Sequence, residues 1–291
     1  MHIPVLTQAV ADLLKVTAGG VFFDGTVGLG GHSALILNAS PYNYVFGTDK
    51  DSKSLEIAKK NLESFKGRFT LFHADFKSID SLPIEIEKID GFLFDLGVSS
   101  FQLDNPDQGF SYAQNAPLDM RMDKNQTLSA YQVVNDYPYD QLMELFREYG
   151  EFTNPTKIVQ QIVFHRKTKK IENTEELKNL VRKIYPRQKT MDPLSRIFQA
   201  LRIEVNQELA GLETYFLNLI KRMKPGARIV IISFHSLEDR IAKSVFKKAR
   251  EENLMKILTK KPIIASREEI LCNPRARSAK LRAGYKALRA Y

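Results

Sequence analysis

Cysteine is almost missing from this chain of 291 residues: Cys272 stands alone, so no internal disulfide can form. The five histidines, His2, His32, His73, His165 and His235, never fall at ligand spacing with one another or with that cysteine, and no metal site is predicted. No uncharged apolar run is long enough to cross a bilayer. Met1-His2-Ile3-Pro4 lacks the basic region and apolar stretch of a signal peptide, so the expectation is a protein of the reducing cytoplasm with no membrane partner. Internal repeats and low-complexity tracts are also absent. Acid is in deficit, with 34 Asp and Glu against 43 Lys and Arg, and the net charge of +9 favours a polyanionic partner wherever the cations cluster. A chain of this length builds one large domain, or one domain with an insertion, without covalent staples.

Among the features present, the stretch Val21-Phe22-Phe23-Asp24-Gly25-Thr26-Val27-Gly28-Leu29-Gly30-Gly31-His32-Ser33 is the most informative. A short apolar run reaches an acid, breaks into glycines and gives way to an apolar-periodic segment from Ala34, which reads as strand, tight loop, helix. Glycines let the backbone take positive φ and let a ligand approach the main chain, while the N–H groups opening the next helix face whatever is bound. The spacing is not G-x-G-x-x-G, so the dinucleotide fingerprint is not met. Asp24-Gly25-x-x-Gly28-x-Gly30-Gly31 resembles instead the loop of S-adenosylmethionine-dependent methyltransferases.

The rest of the first hundred residues alternates strand and helix. An amphipathic helix over Pro4 to Leu14 precedes the loop, and Ser40-Pro41 stops the helix after it. Tyr44 to Asp49 reads as a second strand ending in an acid, at the distance of about 20 residues where such folds put a carboxylate on ribose hydroxyls. Asp49 could also cap the next helix, a role better suited to Asp51 or Ser52. Phe69 to His73 is a third strand leading to Asp75 and Phe76, which either meet an adenine or merely make a turn. Ile89 to Gly97 is a fourth strand carrying Asp95 to the same edge. Strand ends at Asp24, Asp49 and Asp95 thus put carboxylates along one side of a parallel sheet.

From Asn105 this alternation stops. A turn-rich link to Asp123 precedes helical patterns over Leu128 to Val134, Tyr139 to Tyr149, Asn154 to Arg166 and Thr174 to Tyr185, and the sheet resumes only at Lys224 to Phe234. The predicted architecture is α/β, a doubly wound Rossmann-like class I methyltransferase sheet with an inserted all-helical domain. Residues 1–104 form the first part of the cofactor domain, 105–206 the helical insertion, and 207–291 the second part with a basic C-terminal tail.

Four further blocks sharpen the resemblance. They are Asp95-Leu96-Gly97-Val98-Ser99-Ser100-Phe101-Gln102-Leu103-Asp104; Gly109-Phe110-Ser111-Tyr112 with Pro117-Leu118-Asp119-Met120-Arg121-Met122-Asp123; Ile232-Ser233-Phe234-His235-Ser236-Leu237-Glu238-Asp239-Arg240; and Asn273-Pro274-Arg275-Ala276-Arg277-Ser278-Ala279-Lys280-Leu281-Arg282. With the glycine loop and Phe198 to Asn206, the chain resembles the bacterial 16S ribosomal RNA cytosine-N4 methyltransferase family over nearly its whole length. The resemblance implies S-adenosyl-L-methionine as cofactor, contacted by Gly30, Gly31, His32, Asp49, Phe76, Asp95 and Gln102. It implies the 16S rRNA of the small ribosomal subunit as partner, and leaves a homodimer open. Two stretches depart from the family pattern: Met191-Asp192-Pro193-Leu194-Ser195-Arg196 stands where His-Pro-Ala-Thr-Arg is usual, and Gly150-Glu151-Phe152-Thr153 lacks the second acid and the basic residue that often follow Gly-Glu.

Chemically, N4 of cytosine has its lone pair delocalised into the ring, so an acceptor on its N–H groups would help it pyramidalise and lose a proton. Asp95 is the candidate catalytic residue, either orienting the base or holding the cofactor, with a carbonyl in Leu96 to Ser99 as the alternative acceptor and Phe101, Phe110 or Tyr112 stacking the base. C5 methylation would need a thiolate, and Cys272 sits alone in the basic tail. His235 is either a site-edge residue or a packed structural histidine. Basic clusters at Arg166 to Lys170, Arg187 with Lys189, Lys247 to Arg250, Lys260-Lys261 and Arg275 to Arg289 suggest RNA backbone contacts. The competing readings are a methyltransferase acting on DNA cytosine or a small molecule, and a non-catalytic RNA-binding protein.

Overall fold

The computed structural model describes residues 4–186 and 192–288; His2, Arg187, Lys189, Met191 and Arg289 lie outside the described residues. The chain divides into two compact units, Met1–Gly97 with Gly211–Tyr291, and Val98–Ala210.

The first unit opens with helix α1 (Thr7–Leu14), strand β1 (Gly20–Asp24), α2 (Gly31–Ala39), β2 (Asn43–Asp49), α3 (Ser52–Asn61), β3 (Phe69–His73) and β4 (Gly91–Asp95). Asp51 caps α3, its carboxylate accepting from the Lys53 N–H at 3.0 Å, as the acid-rich start predicted. Helix α2 starts at Gly31 rather than Ala34, because Gly30 takes the left-handed cap at φ 85° and the second glycine already lies in the first turn. The β4 strand is shorter than the apolar run: Gly97 turns out of it at φ 97°.

The second unit carries α4 (Ser100–Asp104), α5 (Ala130–Asp136), α6 (Tyr139–Glu148), α7 (Thr156–Arg166), α8 (Thr174–Ile184) and α9 (Pro193–Asn206). Phe146, Ile158, Ile162, Leu177, Leu194 and Ile197 form its core, each fully buried. Phe110, expected as a base-stacking candidate, belongs to that core at 5% exposure and is withdrawn from the site. Tyr112 packs edge-on against Phe198, with its hydroxyl 2.6 Å from Ser195 Oγ.

The chain then returns to the first unit with α10 (Leu212–Arg222), β5 (Arg228–Ser233), α11 (Ser236–Glu251), β6 (Met255–Ile257), β7 (Ile263–Ile264), α12 (Arg267–Cys272) and β8 (Lys280–Lys286). The sheet order is β3-β2-β1-β4-β5-β8-β6, with β7 also on β8; β1 to β5 are parallel, and β8 runs antiparallel to β5. Strand order reverses between β1 and β4, so a crevice opens beyond the carboxyl ends of those two strands. Phe22, Phe92 and Phe94 lie within the unit almost without exposure, each contributing about 1.5–3 kcal/mol of burial.

The basic C-terminal tail is corrected by this topology. Lys280–Lys286 is a strand between β5 and β6, with Leu281 and Ala283 fully buried. Arg282 is 8% exposed and grips Asp239 of α11 through Nε at 2.7 Å and Nη2 at 3.2 Å, so it is an internal ion pair and not a phosphate contact. Desolvation leaves that cation nowhere else to discharge its hydrogen bonds.

Candidate active site

The glycine loop is stitched to its neighbours on both sides. The Gly25 N–H donates to Leu93 O at 2.9 Å, the Val27 N–H to Thr48 O at 3.0 Å, and the Thr48 hydroxyl to Gly25 O at 3.0 Å. Asp24 is fully buried beneath it, accepting from Ser33 Oγ at 2.6 Å and the Thr26 N–H at 3.2 Å. Burial raises its carboxyl above the usual aspartate range. Asp24 is therefore the knot tying loop to helix, its carboxylate spent on Ser33 and Thr26.

Asp49 at the end of β2 accepts from the Gly28 N–H at 2.7 Å and the Asp51 N–H at 2.9 Å, and burial pushes its carboxyl up to about 6. It thereby holds the loop in shape, with lone pairs left on the same two oxygens. Asp95 at the end of β4 is positioned by its own N–H, which donates to Thr26 Oγ1 at 2.6 Å. His32, in the first turn of α2, is 5% exposed, and its Nε2 lies 3.5 Å from Asp95 Oδ2. Both ring nitrogens of His32 and Oδ1 of Asp95 are buried without a hydrogen-bond partner. Unsatisfied buried polar atoms cost about 1–3 kcal/mol each, so their concentration at one strand edge marks a place prepared for a polar ligand.

Phe76 follows β3 and rests on an aromatic group: its ring centroid is 5.2 Å from Phe94 and 5.2 Å from Tyr215 of α10, with Phe216 stacked at 6.3 Å. A Cβ at Gly25 would come within 2.5 Å of the Phe94 ring and 3.1 Å of Phe76 Cβ, which explains glycine there. Asp75 turns out to be a turn residue, capping a short 3-10 segment through the Lys77 N–H at 2.9 Å and pairing with Lys50 at 2.9 Å. Tyr215 and Phe216 escaped the sequence reading because they lie on a helix far along the chain. The Tyr215 hydroxyl is buried without a partner, and burial drives it well above the usual tyrosine range.

Gly30, Gly31, His32, Asp49, Phe76 and Asp95 are thus brought together in the first unit. Gln102 lies in the second, 4% exposed, where its Oε1 accepts the Ser99 N–H at 2.9 Å and its own N–H donates to Ser99 Oγ at 3.2 Å, a capping box for α4. His235 caps α11 in the same manner: the Glu238 N–H points at its Nδ1 at 3.4 Å, while Glu238 Oε2 accepts the Phe234 N–H at 2.8 Å.

A nucleoside cofactor bearing an amino acid and a positive charge suits this donor set: two carboxylates at the strand ends, unpartnered histidine nitrogens, the N-terminus of α2 and an aromatic shelf. Fold and site together define a class I α/β methyltransferase using S-adenosylmethionine. The profile of the MraW methylase family matches residues 1–287, and the chain belongs to that family. It is 46% identical over 286 residues to the ribosomal RNA small subunit methyltransferase H of Sulfurihydrogenibium azorense, covering 97% of each chain. It is 44% identical to the protein of the same name from Persephonella marina, again over 97% of each. Among solved structures, an rRNA methylase from Streptococcus thermophilus aligns over 99% of both chains with a TM-score of 0.44 at 11% identity.

Proposed function

We propose that this enzyme transfers a methyl group from S-adenosylmethionine to the exocyclic N4 of a cytosine in the decoding region of 16S ribosomal RNA. The observation that carries the reading is the family match over residues 1–287, joined by relatives whose names specify the small-subunit rRNA. When bound, the cofactor supplies an electrophilic methyl group on a sulfonium. The chain's own residues do the rest. Gly30, Gly31, His32, Asp49 and Phe76 would hold and orient the cofactor; the Asp95 Oδ1 without a hydrogen-bond partner would accept an N4–H of the base and take its proton as the methyl passes from sulfur to N4, the carbon–sulfur bond breaking and the neutral thioether leaving.

In this reading Gln102 adds a cofactor contact, Phe101 stacks the extruded base, and the Val98–Ala210 unit recognises the RNA. Such a substrate sets the enzyme in the cytoplasm. A homodimer is a separate matter, read by sedimentation of the purified chain. The deciding experiment incubates mature and immature small subunits with labelled S-adenosylmethionine and analyses the nucleosides by mass spectrometry. N4-methylcytidine in subunit RNA is the expected product; label in another nucleoside, in DNA or in metabolites would overturn the reading.

A further inference from the structure

Opposed to the glycine loop, the first unit carries a second concave feature, a groove of about 1510 Å³ lined by ten Lys and Arg and a single acid, Glu87. Glu87 is already engaged, lying 3.7 Å from Arg222. The cations come from three elements. Lys243, Lys247 and Arg250 occupy positions i, i+4 and i+7 of α11 and so share one helix face, Lys256 projects from β6, and Lys260 follows it. All five are exposed. Lys243, Arg250, Lys256 and Lys260 have no carboxylate partner among the described residues, and Lys247 has only a 3.8 Å contact with exposed Glu251. The floor is apolar, built from Met223, Phe246 and Met255, each 4% exposed or less.

The lining also takes in Lys224 and Pro225, which precede β5, and Lys286 to Leu288 at the end of β8. That end of the groove is at the strand edge away from Asp95 and Ser233, about 17 Å off along the six residues of β5 at ~3.3 Å per residue. That end is too far from Asp95 to touch a base held beside it, while the lining at its other end reaches Arg282, in register with Ile231. Unpaired, exposed cations in a row cost the folded chain self-repulsion and contribute nothing to its core, so their arrangement calls for a polyanion.

We propose that this groove is a docking surface for the RNA phosphate backbone, carried by the sheet unit itself. The choice of RNA among polyanions rests on the proposed function. Lysine-rich contacts of this type position a duplex without reading its sequence, and they release counterions on binding. The groove therefore acts on how tightly the subunit is held and leaves the methyl-transfer step to the opposite edge.

The test uses the full chain and a labelled RNA hairpin that lacks any target cytosine, so its outcome does not depend on methylation. The triple variant Lys243→Gln, Lys247→Gln, Arg250→Gln should lower hairpin affinity at least tenfold and reduce the slope of log affinity against log salt by about three, one for each phosphate no longer neutralised. A Lys243→Arg, Lys247→Arg variant should retain wild-type affinity. Calorimetry with S-adenosylmethionine and thermal melting confirm that both variants are folded. Unchanged affinity and salt slope in the Gln variant would overturn the proposal. So would polyglutamate or phosphatidylglycerol vesicles binding the wild-type groove as tightly as the hairpin. Failure of wild-type enzyme to methylate small subunits would instead strike the proposed function, with the hairpin measurement still standing.

Discussion

The two units treat buried polar atoms in opposite ways. Among the described residues, six of the seven buried side-chain polar atoms without a hydrogen-bond partner lie in the sheet unit, among them His32 Nδ1 and Nε2, Asp95 Oδ1 and Tyr215 OH; the helical unit has only Gln108 Oε1. In the helical unit the motif residues are spent on one another. Asn206 accepts the Met122 N–H at 2.8 Å and donates to Met120 O at 2.8 Å, clamping the Asp119–Asp123 segment to α9. Arg202 forks onto Glu208 with two contacts of 2.9 Å, Glu204 accepts the Tyr137 hydroxyl at 2.6 Å, and Arg121 holds Asp119 at 2.7 Å. Equally distinctive sequence blocks therefore do different work. Where polarity is satisfied internally the block is scaffold, and where it is left open at a strand edge the block keeps hydrogen-bonding capacity in reserve.

That contrast is open to attack by mutation. Asp95→Asn should lower kcat for subunit methylation by about 10²-fold or more while changing cofactor affinity less than tenfold, as measured by calorimetry. A collapse of cofactor affinity would instead assign Asp95 to holding the cofactor. Asn206→Ala in the helical unit should cost about 2–3 kcal/mol in denaturant unfolding, because it strands the Met122 N–H and the Met120 carbonyl inside; a near-neutral result would break the view of that block as a clamp.

A smaller effect is expected at Arg196. Its Nε donates to Gly150 O at 2.7 Å, its Nη2 to Glu151 O, and its guanidinium lies 3.9 Å from the Phe152 ring centroid. Both departures from the family pattern thus meet in one contact, and Arg196→Met should cost about 1–2 kcal/mol of stability with cofactor binding intact. Loss of cofactor affinity in that variant would show that the two stretches do more than pack.

The smallest signal concerns pH. Asp49 is held up to about 6, so from about pH 4 to 6 the folded chain keeps a proton that the unfolded chain releases. Its contribution to stability is full below the unfolded value and is lost as pH rises through about 6. Subtracting the unfolding profile of Asp49→Asn from that of wild type should leave this declining component; a flat difference would place Asp49 in contact with solvent.

Much of the sheet unit was legible because strands β1 to β5 are apolar runs that stop at polar residues, and because glycines at Gly28 and Gly30, both at positive φ, announce a turn no side chain would favour. Strand β8 was hidden by its charges: Lys280, Arg282 and Lys286 read as a basic tail for RNA contacts until Asp239 of α11 supplied the partner that lets Arg282 be buried. Phe110 looked available for stacking because aromatic residues in turn-rich segments carry no periodicity to mark them as core. The Arg196 contact joins segments 45 residues apart, beyond the reach of any local pattern.

By itself the sequence determined the alternation of strand and helix, the glycine loop between the first strand and its helix, and the delivery of Asp24, Asp49 and Asp95 to one sheet edge. Those follow from local propensity and from the period of a parallel strand. Tertiary structure decided how each of those acids is engaged: Asp24 is consumed by Ser33 and Thr26, Asp49 accepts the Gly28 and Asp51 N–H groups with lone pairs to spare, and Asp95 keeps an oxygen without a hydrogen-bond partner beside His32. It also decided that the cations of α11 and β6 face a common groove. Hydrogen-bond satisfaction and charge pairing are settled between residues distant in the chain, so no inspection of neighbouring residues could have apportioned them.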